Sequence, residues 1–234
     1  MIIPVTIERI WRETPTVLSF SLDLRSQEFS FKAGQWLDCY LGKDASPGVA
    51  GYTITSRPPQ DGRIQITVKY SQTNPVTRYL HAEACVGDEI YIEGGQGDFY
   101  YDRSMGSSLV LLADDIGITP MMSIIRYVDA LAPGVEVALL YSASRPDELV
   151  FHRELEAISR RNPNIRCHFT VKDSSQWNWA GNVGAIDMGL LLRSEVDAGS
   201  LYYVCGPQPH IPCMTVILNY LGVTHDRILS EDWS

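Results

Sequence analysis

Three stretches of the 234-residue chain combine glycine, hydroxyl, thiol and aromatic groups at spacings suited to gripping a flat, charged ligand. In Ala113-Asp114-Asp115-Ile116-Gly117-Ile118-Thr119-Pro120-Met121-Met122, Thr119 is expected as a helix N-cap and Pro120 at the first helical position. Such a turn leaves backbone N–H groups free at a helix N-terminus, where a phosphate or diphosphate binds. In Cys205-Gly206-Pro207-Gln208-Pro209, Gly206 admits another group close to the backbone. Cys205 places a small polarisable side chain where it can touch a flat ring. Gly51-Tyr52-Thr53-Ile54-Thr55-Ser56 joins an aromatic ring to hydroxyls on one strand, with Thr53 and Thr55 on one face and Tyr52 and Ile54 on the other. Each stretch also has a plain structural reading: a turn without ligand, a buried cysteine before a turn, and β propensity.

The elements that must position these residues fall into two kinds. Up to about residue 102 the chain shows short β-type runs at 5–11, 17–22, 36–41, 64–70 and 89–93, expected to form an antiparallel barrel or sandwich. Turn chemistry separates them at Lys32-Ala33-Gly34, Ser46-Pro47-Gly48, Gln60-Asp61-Gly62 and Val86-Gly87-Asp88. A short helix is predicted over 75–81, with Asn74 as its cap and Pro75 in its first turn. After residues 103–108, apolar runs at 109–113, 135–141, 165–171 and 201–204 alternate with amphipathic stretches at 120–131, 149–160 and 208–221. That rhythm predicts a parallel sheet covered on both faces, with ligands bound beyond the carboxyl ends of its strands. The expected organisation is therefore two domains: an antiparallel β-barrel over 1–102, then an α/β parallel-sheet domain over 107–234.

Composition narrows the function. Hydrophobic residues make up 45% and charged residues 20%, as in a packed globular protein. No apolar run is long enough to span a bilayer, and Met1-Ile2-Ile3-Pro4 lacks a basic leader, so a cytoplasmic location without membrane insertion is expected. The net charge is −9, and neither part is basic: ten cationic against thirteen acidic residues before Ser104, nine against fifteen from it onward. A nucleic-acid partner is excluded on that ground. Cys39, Cys85, Cys167, Cys205 and Cys213 are too widely spaced for a zinc or iron–sulfur framework, so no metal site is expected.

Taken in order, these segments resemble the ferredoxin–NADP reductase superfamily, especially its oxygenase-reductase and flavin-reductase branches, over essentially the whole chain. The family's Arg-x-Tyr-Ser/Thr flavin motif falls on Ala50-Gly51-Tyr52-Thr53, its second flavin segment on Val68-Lys69-Tyr70, and its Gly-x-x-Ser/Thr helix start on Asn74-Pro75-Val76-Thr77. The nicotinamide turn Gly-Gly-x-Gly-Ile-Thr-Pro falls on Asp114 to Pro120, and Cys-Gly-Pro-x-Pro-Met on Cys205 to His210. Tyr141-Ser142 with Pro146, and Trp179-Ala180-Gly181 leading to Gly184, are supporting matches; the ending 228–233 is similar to the family's last strand with its Glu and aromatic residue. The resemblance implies a flavin barrel followed by an NAD(P)-binding domain, with a hydride passing from NAD(P)H to FAD. Single electrons then go to a separate redox partner such as a ferredoxin or oxygenase component.

By the same resemblance, Thr53, Cys205 and Glu231 are catalytic. Tyr52, Thr53, Ile54, Thr55, Val68, Lys69, Tyr70, Asn74, Val76, Thr77 and Trp233 contact the flavin. Gly117, Thr119, Pro120, Ser142, Ser144, Arg145, Cys205, Gly206, Pro207 and Gln208 contact NADH or NADPH. Three departures matter. Ala50 stands where an arginine would hold the flavin phosphates, with Arg57 and Arg78 as substitutes and FMN as the alternative to FAD. Ser144, beside Arg145, occupies the commoner 2′-phosphate position, which favours NADH. Asp114 and Asp115 replace two glycines in the phosphate turn, where each carboxylate opposes a diphosphate by about 4 kcal/mol at close range. An alternative reading follows: a flavoprotein or interaction subunit of the same fold that has lost ordinary NAD(P)H binding.

Overall fold

The structure is a computed structural model that describes residues 1–43, 48–58 and 62–232. The turns expected around Ser46-Pro47 and Gln60-Asp61, and the flavin contact expected of Trp233, lie outside the described residues.

The first sheet is built from β1 (Ile3–Thr14), β2 (Val17–Asp23), β3 (Trp36–Tyr40), β4 (Val49–Thr53), β5 (Arg63–Lys69) and β6 (Glu89–Gln96), with α1 (Pro75–Ala82) between the last two. Their order is β4-β3-β6-β1-β2-β5, with every described pairing antiparallel. A bridge from Ile54 to Ile66 joins the two edge strands and closes the sheet into a barrel. Alternation explains the packing: Ile3, Val5 and Ile7 of β1 point inward with Phe20, Ile64, Ile66 and Ile92. Asn74 caps α1 as expected, its Oδ1 accepting from the N–H groups of Val76 (2.9 Å) and Thr77 (3.1 Å).

The second sheet contains β7 (Ser108–Asp114), β8 (Glu136–Ala143), β9 (Ile165–Val171), β10 (Asn182–Val183), β11 (Leu201–Cys205) and β12 (Ile228–Glu231). The connecting helices are α2 (Ile118–Leu131), α3 (His152–Arg161), α4 (Met188–Arg193) and α5 (His210–Tyr220). All strands are parallel, in the order β10-β9-β8-β7-β11-β12. The chain runs outward from β7 on one side and returns on the other at β11, so the order reverses between these two strands. A crevice therefore opens beyond Asp114 and Cys205, the position at which open α/β sheets bind ligands.

Three local expectations are corrected. Thr119 is not an N-cap: α2 begins at Ile118, two residues before the expected Pro120, after a single tight turn at Asp115–Gly117, and the Thr119 hydroxyl turns back onto the Ile116 carbonyl at 2.9 Å. Pro120 still sits in the first turn, where its missing N–H costs no intrahelical bond. The third helix starts at His152 rather than at residue 149, because Pro146–Glu148 form a tight turn and Phe151 is left-handed at φ 60°. Regular strand geometry ends at Thr53, so Thr55 is buried by the returning β5, its N–H bonded to the Gln65 carbonyl at 2.8 Å, rather than by continued alternation.

One apolar cluster crosses from barrel to parallel sheet, uniting Val17, Ala33, Phe99 and Tyr101 with Leu111, Ile124, Leu139 and Tyr203. Hydrogen bonds stitch the same seam. Ser123 Oγ donates to the Ser56 carbonyl (2.9 Å), Arg126 Nη1 to the Thr55 carbonyl (2.9 Å), and the Tyr203 hydroxyl to the Tyr100 carbonyl (2.8 Å).

Burial depresses the imidazoles of His81, His152, His168 and His210 below the ordinary histidine value near 6.5. Below that value the unfolded chain takes up protons that the folded chain refuses, so stability rises with pH. The stabilisation is complete above the unfolded value and is lost as pH falls from there through the lower folded values. The melting temperature should therefore be lower at pH 5.5 than at pH 7.5, before carboxylates begin to titrate; an unchanged value would refute it.

Candidate functional site

The turn from Asp114 to Thr119 is the hub of the site, because it meets four other elements. Asp115 takes a left-handed φ of 54°, the backbone glycine adopts most readily and aspartate adopts more often than most residues. Its carboxylate pairs with Lys69 at the end of β5, across the domain seam. Asp114 is buried and pairs through Oδ2 with Lys172, which directly follows β9, at 2.8 Å. Neither carboxylate is therefore bare, each being paired with its own lysine. Gly117 lies so close to β11 that a Cβ there would stand 2.2 Å from the Cys205 carbonyl oxygen. Thr119 completes the hub by reaching the barrel, its hydroxyl 3.2 Å from that of Thr53.

Strand register gathers the expected catalytic positions. Ala113, Cys205 and Glu231 are direct neighbours across β7, β11 and β12. Burial first, then the negative charges of Glu231 and Asp232, push the Cys205 thiol up, so it remains a neutral packing group and not a thiolate nucleophile. A Cβ on Gly97 would come within 3.2 Å of Glu231 Oε1, which places this carboxylate beside the barrel's last strand. His210, at the start of α5, is buried with Nε2 3.3 Å from the Leu112 carbonyl.

On the barrel side, the Tyr52 hydroxyl is 2.7 Å from Thr77 Oγ1, which ties β4 to the first turn of α1. His81 Nε2 lies 3.0 Å from the Val68 carbonyl, and the edge of its ring meets Tyr70. Ile54 is fully buried in the barrel core and presents no side chain to a ligand. On the sheet side, Ser142 follows the buried Tyr141 on β8, and Ser144 is exposed just past the strand. Arg145 is matched by Asp147 and Glu148 and lies over the Trp177 ring, 5.3 Å from its centroid. Gln208 Nε2 donates to Asp232 Oδ2 at 2.8 Å. Arg57 lies against β1, α2 and α3 at the opposite end of the seam, while Arg78 is exposed on α1, one residue beyond Thr77.

Two independent sequence profiles match: the oxidoreductase FAD-binding domain over residues 5–101 and the oxidoreductase NAD-binding domain over residues 111–215. The chain belongs to the ferredoxin–NADP reductase superfamily. As a member it is an NAD(P)H-dependent flavoprotein reductase with FAD- and NAD-binding domains. "Oxidoreductase NAD-binding domain-containing protein 1" of Xenopus laevis is 31% identical, the match covering all of this chain and 80% of that protein. The glycine betaine monooxygenase reductase subunit of Chromohalobacter salexigens is also 31% identical, over 83% of this chain and 54% of that protein. Among solved structures, the FAD/NAD-binding domain of a Vibrio cholerae nitric oxide dioxygenase shares the fold at TM-score 0.87 and 21% identity, covering 98% of both chains. A Neisseria gonorrhoeae ferredoxin NADP+ reductase with bound FAD and NADP gives TM-score 0.80 and 22% identity, covering 99% and 98%.

This reductase offers its cofactors a recognisable but altered reception. Ser142 Oγ and Asp114 Oδ1, on facing residues in the register of β8 and β7, are buried without a hydrogen-bond partner among the described residues, which leaves both open to a polar ligand. A carboxylate oxygen accepts, so Asp114 suits a ligand hydroxyl or amide and not a phosphate. At α1 the two N–H groups that a phosphate would use are held by Asn74. Val68, like Ile54, is fully buried in the barrel core and presents no side chain to a ligand, whereas Lys69 and Tyr70 beside it reach the surface.

No helix among the described residues is long and apolar enough to cross a membrane. Lys172 is the site residue that sequence reading missed. Its signal was position, directly after a parallel strand, where the ligand rule had already directed attention.

Proposed function

We propose that the protein draws two electrons from NADH and delivers them singly to a separate acceptor such as a ferredoxin or oxygenase component. The contact between Thr53 and Thr119 carries this reading, because it sets the flavin strand of the barrel directly against the dinucleotide turn. When bound, FAD would supply the conversion from two-electron to one-electron transfer. Thr53, Tyr52 and Lys69 would hold its ring, with the α1 start and Arg78 toward its phosphates once Asn74 yields its two N–H groups. The chain's own residues then orient and exclude. Cys205 packs its neutral thiol at the strand tip, Gly206 leaves room over Asp114, and Glu231 can hold a proton beside them.

The preference for NADH rests on Arg145, whose guanidinium already faces two carboxylates and so has little charge left for a 2′-phosphate. Relatives named as a monooxygenase reductase subunit support an acceptor of that kind. The ion pairs at Asp114 and Asp115 remove the electrostatic ground for the alternative of a subunit without dinucleotide binding. The FAD-loaded protein should reduce two ferricyanide ions per NADH consumed, with kcat/KM at least tenfold lower for NADPH. Failure of NADH oxidation to reduce ferricyanide would overturn the proposal.

A further inference from the structure

A second concave surface lies away from the cofactor crevice. A cleft of about 1020 Å³ lies at the other end of the domain seam, between β1 and β5 of the barrel and helices α2 and α3 of the parallel-sheet domain. Among the described residues six guanidinium groups line it, Arg9, Arg12, Arg57, Arg126, Arg153 and Arg161, and no lysine does. Of the described carboxylates four face them, Glu13, Asp129, Asp147 and Glu154. This concentration of cationic forks stands out in a chain of net charge −9.

The carboxylates are already committed. Glu154 receives the fork of Arg126 at 2.7 and 2.8 Å, and Asp129 receives Arg161. Asp147 pairs with Arg145 from outside the cleft. Glu13 accepts from the Trp11 indole (2.6 Å) and the Ser19 hydroxyl (2.8 Å). Arg126 is a fixed floor: it also bonds the Thr55 carbonyl and Gln65, and lies over the Phe151 ring. What remains is Arg9 and Arg12 on the barrel wall and Arg153 on the opposite wall. Arg9 stacks on Trp11, Arg12 donates to the Pro15 carbonyl, and among the described residues none of the three has a carboxylate within ion-pairing distance.

We infer that this cleft is a second ligand site, separate from the cofactor crevice, for a small molecule bearing two or more phosphate or carboxylate groups. Arginine forks match both oxyanions bidentately, and a concave volume between two walls presents them around a ligand. A ligand bridging Arg9 and Arg12 to Arg153 would tie the domains together at the far end of α2.

Calorimetric titration of the FAD-loaded protein with inorganic tripolyphosphate, and separately with citrate, tests this. Saturable one-to-one binding is expected for at least one probe, weakening with added salt. Arg12→Ala and Arg153→Ala, both on exposed side chains away from the cofactors, should each weaken it at least tenfold while leaving the melting temperature of the free protein unchanged. A stronger response to tripolyphosphate assigns the site to phosphates, and a stronger response to citrate assigns it to carboxylates. No saturable binding of either probe, or binding that both variants retain at full strength, overturns the inference.

Discussion

Replacing Lys172 with methionine should weaken NADH binding ten- to a hundredfold without a comparable loss of FAD. Asp114 stands at the last position of β7 with its side chain 9% exposed, and Lys172 Nζ holds its Oδ2 at 2.8 Å. Removing the ammonium leaves an unmatched carboxylate in the turn proposed to receive a diphosphate. Two unit charges a few ångströms apart at the surface of a protein repel by about 4 kcal/mol before screening, and a third of that accounts for the lower bound. Methionine keeps most of the side chain's apolar length, so the change is one of charge. The double variant Lys172→Met with Asp114→Asn removes both members and should recover most of the lost affinity. That recovery separates electrostatics from packing, because a merely structural lysine would not be rescued at Asp114. Equal affinity of Lys172→Met and the parent would show that the turn does not face the dinucleotide. The companion pair behaves differently: Lys69 and Asp115 belong to different domains, and their loss should loosen the seam as well as change charge.

Gly117→Ala should be the most destabilising single-atom addition at the site. The new Cβ would lie 2.2 Å from the Cys205 carbonyl oxygen, 2.4 Å from its carbon and 2.7 Å from the Gly206 nitrogen. All three are backbone atoms of the neighbouring strand end, so no side chain can swing aside. Either α2 or the Cys205-Gly206 segment must move, and both are fixed by the parallel sheet and by the buried cluster containing Ile118 and Met121. Overpacking of this kind costs about 3 kcal/mol, or roughly 10 °C in melting temperature for a chain of this size. Because the displaced atoms lie in the dinucleotide crevice, NADH affinity should fall together with stability. A melting temperature within 2 °C of the parent would contradict the close approach.

Much of this architecture can be read from residue order alone. The change from alternating to continuous apolar runs near Ser104 separates the two sheets, and Asn74-Pro75 marks the start of α1, because caps and periodicity are local chemistry. The site is legible to the extent that it sits at strand ends: Cys205-Gly206 and the Asp114–Thr119 turn are there. What escapes is anything set by tertiary approach. Asp114 and Asp115 read as repulsive because Lys172 and Lys69, 58 and 46 residues away in the chain, come to them only in the fold. Thr119 reads as a cap because its type and the following proline fit one, whereas the tight turn at Asp115 starts the helix two residues earlier. Arg57 reads as a phosphate ligand by proximity to the Tyr52-Thr53 motif, yet the three residues between carry it to the other end of the seam.

Anaerobic titration of the purified, FAD-reconstituted protein with NADH tests the central claim most directly. The account predicts one flavin taken up per chain and its visible absorbance bleached by about one equivalent of NADH. A protein that takes up neither FAD nor FMN, or whose bound flavin neither NADH nor NADPH reduces, would contradict it.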